Sequence, residues 1–169
     1  MFGRAKISFQ ILLLILSFLH LSGKSQPSAR STKVLPVIHL SQEEWEIYYQ
    51  INNYRAQKGL PAIPLSGSLT YVAHQHVWDL AENTPASQRC NLHSWSDKGN
   101  WSSCCYTPDH KRAECMWNKP RELTNYTGEG YEIAYWTNEP LDPRAFATRA
   151  LVKWKESAEH NSVIINIHE

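Results

Sequence analysis

The chain has 169 residues, enough for one domain of ordinary size and too few for two. Hydrophobic residues make up 42% and charged residues 20%, a composition typical of a folded globular protein and not of a disordered chain. The net charge is only +1 and no basic face is visible, which excludes a nucleic-acid-binding protein.

An apolar run near the N-terminus predicts a secretory signal peptide. Arg4 and Lys6 precede the apolar residues 7–21, and small polar residues follow them. The run has about 15 residues, whereas a transmembrane helix needs roughly 20, so an uncleaved anchor is the alternative. We take residues 1–25 as the signal peptide, with cleavage within residues 21–28. This predicts a secreted chain, extracellular or periplasmic, with no membrane span after processing.

Two amphipathic helices are predicted after a linker over residues 26–40. Ser41 and Glu44 form a capping-box signature, and the helix that they open is expected to end near residue 58. The second helix is predicted to begin at an N-cap on Ser68 and to end near residue 83.

The stretch that follows, residues 84–138, has little helical periodicity and is predicted to be a long irregular region. Within it, GYEIAYW (residues 130–136) is the best strand candidate. Asp142 and Pro143 then predict the N-cap and the first residue of a third helix. The apolar SVIINI (residues 162–167) is a further strand candidate.

All four cysteines lie in the irregular region, and we expect them to form two disulfides. An even number of cysteines in a secreted chain favours disulfides, and the paired C-x2-C spacing of structural zinc sites is absent. Because Cys104 and Cys105 are adjacent, Cys90 is expected to bond with one of them and Cys115 with the other. A single disulfide, or a metal cluster that includes neighbouring histidines, is the alternative.

Four segments in the correct order resemble the CAP superfamily, also called the SCP domain: cysteine-rich secretory proteins, antigen 5 and plant pathogenesis-related 1. They are INNYRAQKGLPAIPLSGSLTYVAHQHVWDLAEN, NLHSWS, GEGYEIAYW and ALVKWKESAEHNSVII, and together they extend over roughly residues 43–167. The resemblance implies an α+β fold, an α-β-α sandwich with a disulfide-stapled loop region, over residues 41–169. It also implies that the usual C-terminal strands of the family are lacking.

The resemblance also implies a cleft lined by histidine and glutamate. His93 matches the first cleft histidine of the family, His160 the second, and Glu132 the glutamate, with Glu129 as a rival because the sequence reads GEGYEIA. Two imidazoles form a ligand pair for Zn²⁺ or another divalent metal, so His93 and His160 are the candidate metal ligands. A packing role for these histidines is the alternative. His76 lies on an apolar helix stripe and is interpreted as a core residue.

The function predicted from these residues is binding of an extracellular ligand in the cleft, either an apolar, lipid-like molecule or a protein partner. The seven Trp and eight Tyr would suit an apolar groove, although core packing explains them equally well. The alternative is a divalent-metal-assisted hydrolase or protease that uses the same cleft. No serine or cysteine lies in a recognisable nucleophile motif, so no catalytic residue is assigned. A purely structural secreted module is the third hypothesis.

Overall fold

The computed structural model describes the backbone of Ser8–Leu14 and all of residues 33–165. No helix in these two ranges is long and apolar enough to cross a membrane. Helices and strands are mixed, as an α+β fold requires. The elements in chain order are β1 (Ser8–Leu14), α1 (Gln42–Gln57), α2 (Gly67–Asn83), α3 (Glu114–Trp117), α4 (Lys119–Leu123), β2 (Tyr131–Thr137), α5 (Pro143–Glu156) and α6 (Ala158–Ile165).

Helix α1 begins with the predicted capping box. The Ser41 hydroxyl accepts a hydrogen bond from the Glu44 amide at 3.2 Å, and the Glu44 carboxylate accepts one from the Ser41 amide at 2.6 Å. Two amides without partners in the helix are thereby satisfied. Gly59 follows the helix with a φ of 70°, a left-handed conformation that glycine adopts without steric cost. The predicted helix is confirmed.

Helix α2 begins two residues earlier than predicted. Ser66, not Ser68, is the N-cap: its hydroxyl accepts from the Leu69 amide at 3.4 Å, and its carbonyl accepts from the Thr70 amide at 2.9 Å. Both serines are acceptable caps by residue type, and Gly67 between them is compatible with either start. The predicted end near residue 83 is confirmed.

The third predicted helix is confirmed, but the strand predicted over residues 162–167 is wrong. In α5, the Asp142 carboxylate caps the Ala145 amide at 2.9 Å and Pro143 is the first helical residue. Residues 162–165 instead belong to α6, where Ile164 is fully buried. A short apolar run is compatible with a buried helix as well as with a strand, and here the residues pack against the core as a helix. Residues 166–169 lie outside the described residues.

Strand β2 confirms the strand predicted over residues 130–136, and it pairs antiparallel with β1. The register runs from Ser8 opposite Thr137 to Leu14 opposite Tyr131. Strand β1 lies in the apolar run predicted as a signal peptide, so the structure gives a sheet position to residues expected to be removed. The signal peptide stays a prediction.

Alternate residues of β2 contact different helices, because successive strand residues point to opposite faces. Ala134 packs beside the buried residues of α2, and the neighbouring Glu132 contacts the same helix. Ile133 and Tyr135 belong to the core that α1, α5 and α6 share. The buried members of that core are Ile47, Ile51, Tyr54, Ile133, Phe146, Ala147, Ala150, Trp154 and Ile164.

The two predicted disulfides are present, and their pairing is now defined. Cys90 bonds to Cys105 and Cys104 bonds to Cys115. The short helices α3 and α4 lie in the predicted irregular region. The disulfides adjoin a second buried cluster between α2 and this region, made of Val72, Trp95, Cys104, Tyr106, Ala113 and Met116.

Candidate functional site

His93 lies in a loop segment that is fixed at both ends. On one side, the disulfide between Cys90 and Cys105 ties the segment to the chain that runs beside it. On the other side, Trp95 and Cys104 form an antiparallel bridge with N–O distances of 2.8 and 3.0 Å. Two attachments that flank only four residues leave the backbone at His93 little freedom.

Glu132 on β2 connects two histidines of different segments. Its side chain is only 1% exposed, and each carboxylate oxygen accepts from a different imidazole. Oε2 lies 2.7 Å from Nδ1 of His76 on α2, and Oε1 lies 2.8 Å from Nδ1 of His93 in the loop. A single carboxylate therefore joins β2, α2 and the irregular region.

His76 is buried, as the sequence indicated, but it is also part of the site. Its Nε2 lies 2.9 Å from the Ser94 carbonyl and its Nδ1 faces the Glu132 carboxylate. Both partners are hydrogen-bond acceptors, so each ring nitrogen of His76 faces an acceptor. The ring stacks on Trp95 at a centroid distance of 4.4 Å. A histidine on an apolar stripe requires a buried partner, and that was the available signal.

The carboxyl group of Glu132 is ionised over the whole physiological range. Burial by itself would raise its pKa, but the interaction with His76 and the hydrogen bonds from His76 and His93 outweigh burial and bring the pKa to about 2. With both oxygens engaged, Glu132 positions the histidines and is not itself a contact for a ligand.

His93 directs one ring nitrogen away from Glu132. Because Nδ1 donates to the carboxylate, a neutral His93 carries its lone pair on Nε2, which has no hydrogen-bond partner among the described residues. Burial lowers the pKa of His93, but the hydrogen bond and charge of Glu132 raise it more, and the net shift is upward. The Tyr106 ring lies 5.3 Å from the imidazole, and 18% of the His93 side chain is exposed.

His160 at the start of α6 is close enough to His93 to be affected by its charge. Burial lowers the pKa of His160 and repulsion from His93 lowers it further. Its backbone amide donates to the Ser157 hydroxyl at 3.3 Å, which anchors this turn. The structure thus places His93 in contact with Glu132 and His160 within electrostatic range of His93. The role of these residues in ligand binding stays a prediction.

Glu129, the rival glutamate, lies apart from the histidines. It is exposed and forms an ion pair with Arg121 at 3.4 Å. In strand β2, residue 132 points toward α2, whereas Glu129 precedes the strand. Between the two glutamates, the structure places Glu132 at the histidines.

Tyr106 and His110 are neighbours of the site that sequence reasoning missed. The Tyr106 hydroxyl lies 2.8 Å from Nδ1 of His110. Burial raises the pKa of Tyr106, and the negative charges of Glu159 and Glu132 raise it further, so the phenol stays protonated near neutral pH. Neither residue belongs to a quoted family segment, and their spacing of four residues in an irregular region gave no signal.

The residues that the structure describes do not form a metal site with three ligands. Within the part of the chain that the structure describes, no group of three or more His, Cys, Asp or Glu side chains could hold a metal ion. All four cysteines are in disulfides and both Glu132 oxygens are engaged, so His93 and His160 are the available candidates. Catalytic zinc sites usually have three protein ligands. Metal binding by His93 and His160 stays a prediction.

The arrangement is suited to polar contact and to proton exchange. His93 offers a fixed Nε2, and neighbouring His160 has a pKa shifted in the opposite direction. Adjacent groups with divergent pKa values can present one protonated and one neutral imidazole at the same pH.

Comparison with known proteins identifies a family for this chain. A search of curated proteins and a search of solved structures each return no match. The model of the Cysteine-rich secretory protein family matches residues 48–167, which is most of the chain and includes every histidine and glutamate of the site. The chain belongs to the cysteine-rich secretory protein (CAP) family.

Proposed function

We propose that this chain is an extracellular ligand-binding module whose ligand contacts His93 and His160. Family membership and two disulfides support an extracellular location, because disulfides persist in oxidising compartments. The observation that carries the proposal is the His93 imidazole, fixed through Nδ1 by a buried carboxylate while Nε2 has no partner among the described residues. Because the His93 side chain is already fixed, it loses little conformational entropy when a ligand binds.

The ligand that fits this proposal is a lipid-like molecule with a polar head, or the side chain of a protein partner. Its polar group would bond to Nε2 of His93, while its apolar part would lie against the aromatic surroundings that include Tyr106. The sandwich architecture implied by the family would place these residues in a cleft.

The test compares two histidine variants of the full chain. Binding of a fluorescent sterol, dehydroergosterol, and a fluorescent fatty acid, cis-parinaric acid, is titrated for the unmodified chain, His93→Ala and His74→Ala. His74 is the matched control because it also contacts a glutamate, Glu44, at 2.5 Å, but outside the site. We expect His93→Ala to lose binding and His74→Ala to retain it. Equal binding by all three chains would reject His93 as a contact.

The alternative, a metal-assisted hydrolase, is less well supported. The opposed pKa shifts of His93 and His160 would suit acid–base chemistry, but the described residues supply neither a third metal ligand nor a free thiol nucleophile. Turnover of peptide or ester substrates that EDTA and His93→Ala both abolish would favour this alternative over the binding module.

A further inference from the structure

A cavity of about 430 Å³ lies at the surface, on residues that the His93 site does not use. Tyr71, Gln75 and Trp78 line one wall; they follow one another at spacings of four and three residues and so share a face of α2. Asn100 and Trp101 line the opposite wall. We call this cavity the Trp78 pocket. Its volume lies within the roughly 300–1,000 Å³ typical of ligand pockets.

The loop wall of the Trp78 pocket is held in place by a buried carboxylate. Asp79 on α2 is fully buried and accepts hydrogen bonds from the Ser96 amide at 2.7 Å and the Ser96 hydroxyl at 2.5 Å. The Ser96 carbonyl in turn accepts from the indole nitrogen of Trp101 at 3.0 Å. Trp101 also lies so close to Gly99 that a Cβ at that position would be 2.2 Å from the ring. The pocket is therefore formed before any ligand arrives.

Two tryptophans meet at an angle in this pocket. The rings of Trp78 and Trp101 lie 6.4 Å apart with an interplanar angle of 74°, and Trp101 is supported from behind by the buried Trp95 at 5.1 Å. Trp78 itself is 51% exposed. A large apolar ring half in water offers contact area to a ligand without any rearrangement.

The polar side chains of the pocket favour a neutral ligand. The charged residues that line it, Asp97 and Lys98, pair with each other at 2.9 Å and cancel in charge, so neither an anion nor a cation is preferred. The carboxamides of Gln75 and Asn100 have no hydrogen-bond partner among the described residues, and each offers both donors and acceptors. A ligand that matches has an apolar flat face for an indole and hydroxyl groups around its edge.

We propose that the Trp78 pocket binds a neutral sugar. The ring face of the sugar packs on the indole of Trp78 or Trp101, and its hydroxyls bond to Gln75 and Asn100. The proposal is independent of the function proposed for the His93 site, because the two sets of residues do not overlap.

The test titrates the full chain with two neutral probes, cellotriose and N-acetylated chitotriose, and follows tryptophan fluorescence. We expect a saturable change with at least one probe, and an affinity lower by at least about tenfold in Trp78→Ala because a central aromatic contact is lost. Trp45→Ala is the matched control, since Trp45 on α1 is 40% exposed and lies outside the pocket. Gln75→Ala, which leaves both indoles in place, is also expected to weaken binding.

Three outcomes would overturn the proposal. The first is no saturable response to either probe up to its solubility limit. The second is the same affinity in Trp78→Ala as in Trp45→Ala, with circular dichroism showing that both variants are folded. The third is a tighter response to choline or to glucose 6-phosphate than to the neutral probes, which would contradict the argument from charge.

Discussion

Glu132 bonds to His76 and His93 at once, and glutamine in its place keeps the size but removes the charge. We expect Glu132→Gln to lower the free energy of unfolding by about 3–5 kcal/mol, since the imidazoles of His76 and His93 would lose the buried carboxylate that both contact. Urea denaturation at neutral pH measures the change.

The matched control is Glu129→Gln, at the glutamate that lies three residues earlier and outside the site. Its side chain is 47% exposed and pairs with Arg121 at 3.4 Å, so the loss should stay below about 1 kcal/mol. Similar losses in the two variants would contradict the burial and pairing described for Glu132.

The stability that His93 contributes should depend on pH in a defined direction. Its pKa is raised above 6.5 in the folded chain, so the contribution is complete below pH 6.5 and is lost as the pH rises through the folded pKa. The Glu132 contribution is present above pH 4.5 and is lost as the pH falls from 4.5 to about 2. The difference in unfolding free energy between the unmodified chain and His93→Ala should therefore be largest between pH 4.5 and 6.5.

The comparison with a variant is needed because His160 acts in the opposite sense. Burial lowers its pKa, so it costs stability as the pH falls below 6.5 in both chains, and repulsion from His93 adds to that cost in the unmodified chain alone. If the difference in unfolding free energy between the unmodified chain and His93→Ala grows above pH 6.5, Glu132 does not raise the pKa of His93.

Single residues of the site were predictable where a family segment named them. His93, Glu132 and His160 came from the resemblance; the structure shows the contact between His93 and Glu132 and an electrostatic effect of His93 on His160. The double role of Glu132, and with it the inclusion of His76, was not predictable, because it depends on the distance between α2 and β2 in space. Sequence periodicity gives the face of each element but not which element lies opposite.

At the scale of elements, the disulfide between Cys90 and Cys105 supports the His93 segment. We expect Cys90→Ser/Cys105→Ser to lower the free energy of unfolding by about 3 kcal/mol, as the chain-entropy model gives for a separation of 15 residues. We also expect the pKa of His93, followed by NMR titration, to move toward 6.5 as the loop loosens from Glu132.

The control for this pair is Cys104→Ser/Cys115→Ser, which opens the other disulfide, of separation 11, and leaves the bond between Cys90 and Cys105 intact. The control should lose a comparable stability but shift the pKa of His93 less. An equal pKa shift in the two double variants would mean that the bridge between Trp95 and Cys104, and not the first disulfide, holds His93.

Elements were predictable where a local side-chain signal defined them. The capping box at Ser41 and the Asp142–Pro143 pair each begin a helix as predicted, because caps act within three residues. The apolar residues 162–165 carry no such signal. They form a helix that packs against the core through Ile164. The four- and five-residue helices α3 and α4 are too short for periodicity to reveal.

At the scale of the whole molecule, thermal unfolding with Zn²⁺ and with EDTA tests the predicted metal ligands, His93 and His160. A metal that binds only the folded chain raises the unfolding midpoint. Because the described residues include no group of three or more His, Cys, Asp or Glu side chains that could hold a metal ion, we expect the midpoint in Zn²⁺ to lie only slightly above the midpoint in EDTA. Circular dichroism measures both midpoints.

The informative control is His93→Ala/His160→Ala under the same two conditions. A rise with Zn²⁺ in the unmodified chain that the double variant lacks would establish the two histidines as metal ligands. It would also restore the hydrolase as a candidate function.

Strand β1 is the one hydrogen-bonded neighbour of β2 among the described strands, and its residues Ser8–Leu14 lie within the predicted signal peptide. The backbone of Ser8–Leu14 cannot pair with β2 while residues 7–21 are inserted in an export channel. Export and folding would then compete in time for these seven residues. If the signal peptide is cleaved before the chain folds, β1 is lost from the sheet. The seven residues of β2, the strand that carries Glu132, then have unpaired backbone groups along that edge, to which another strand could bond.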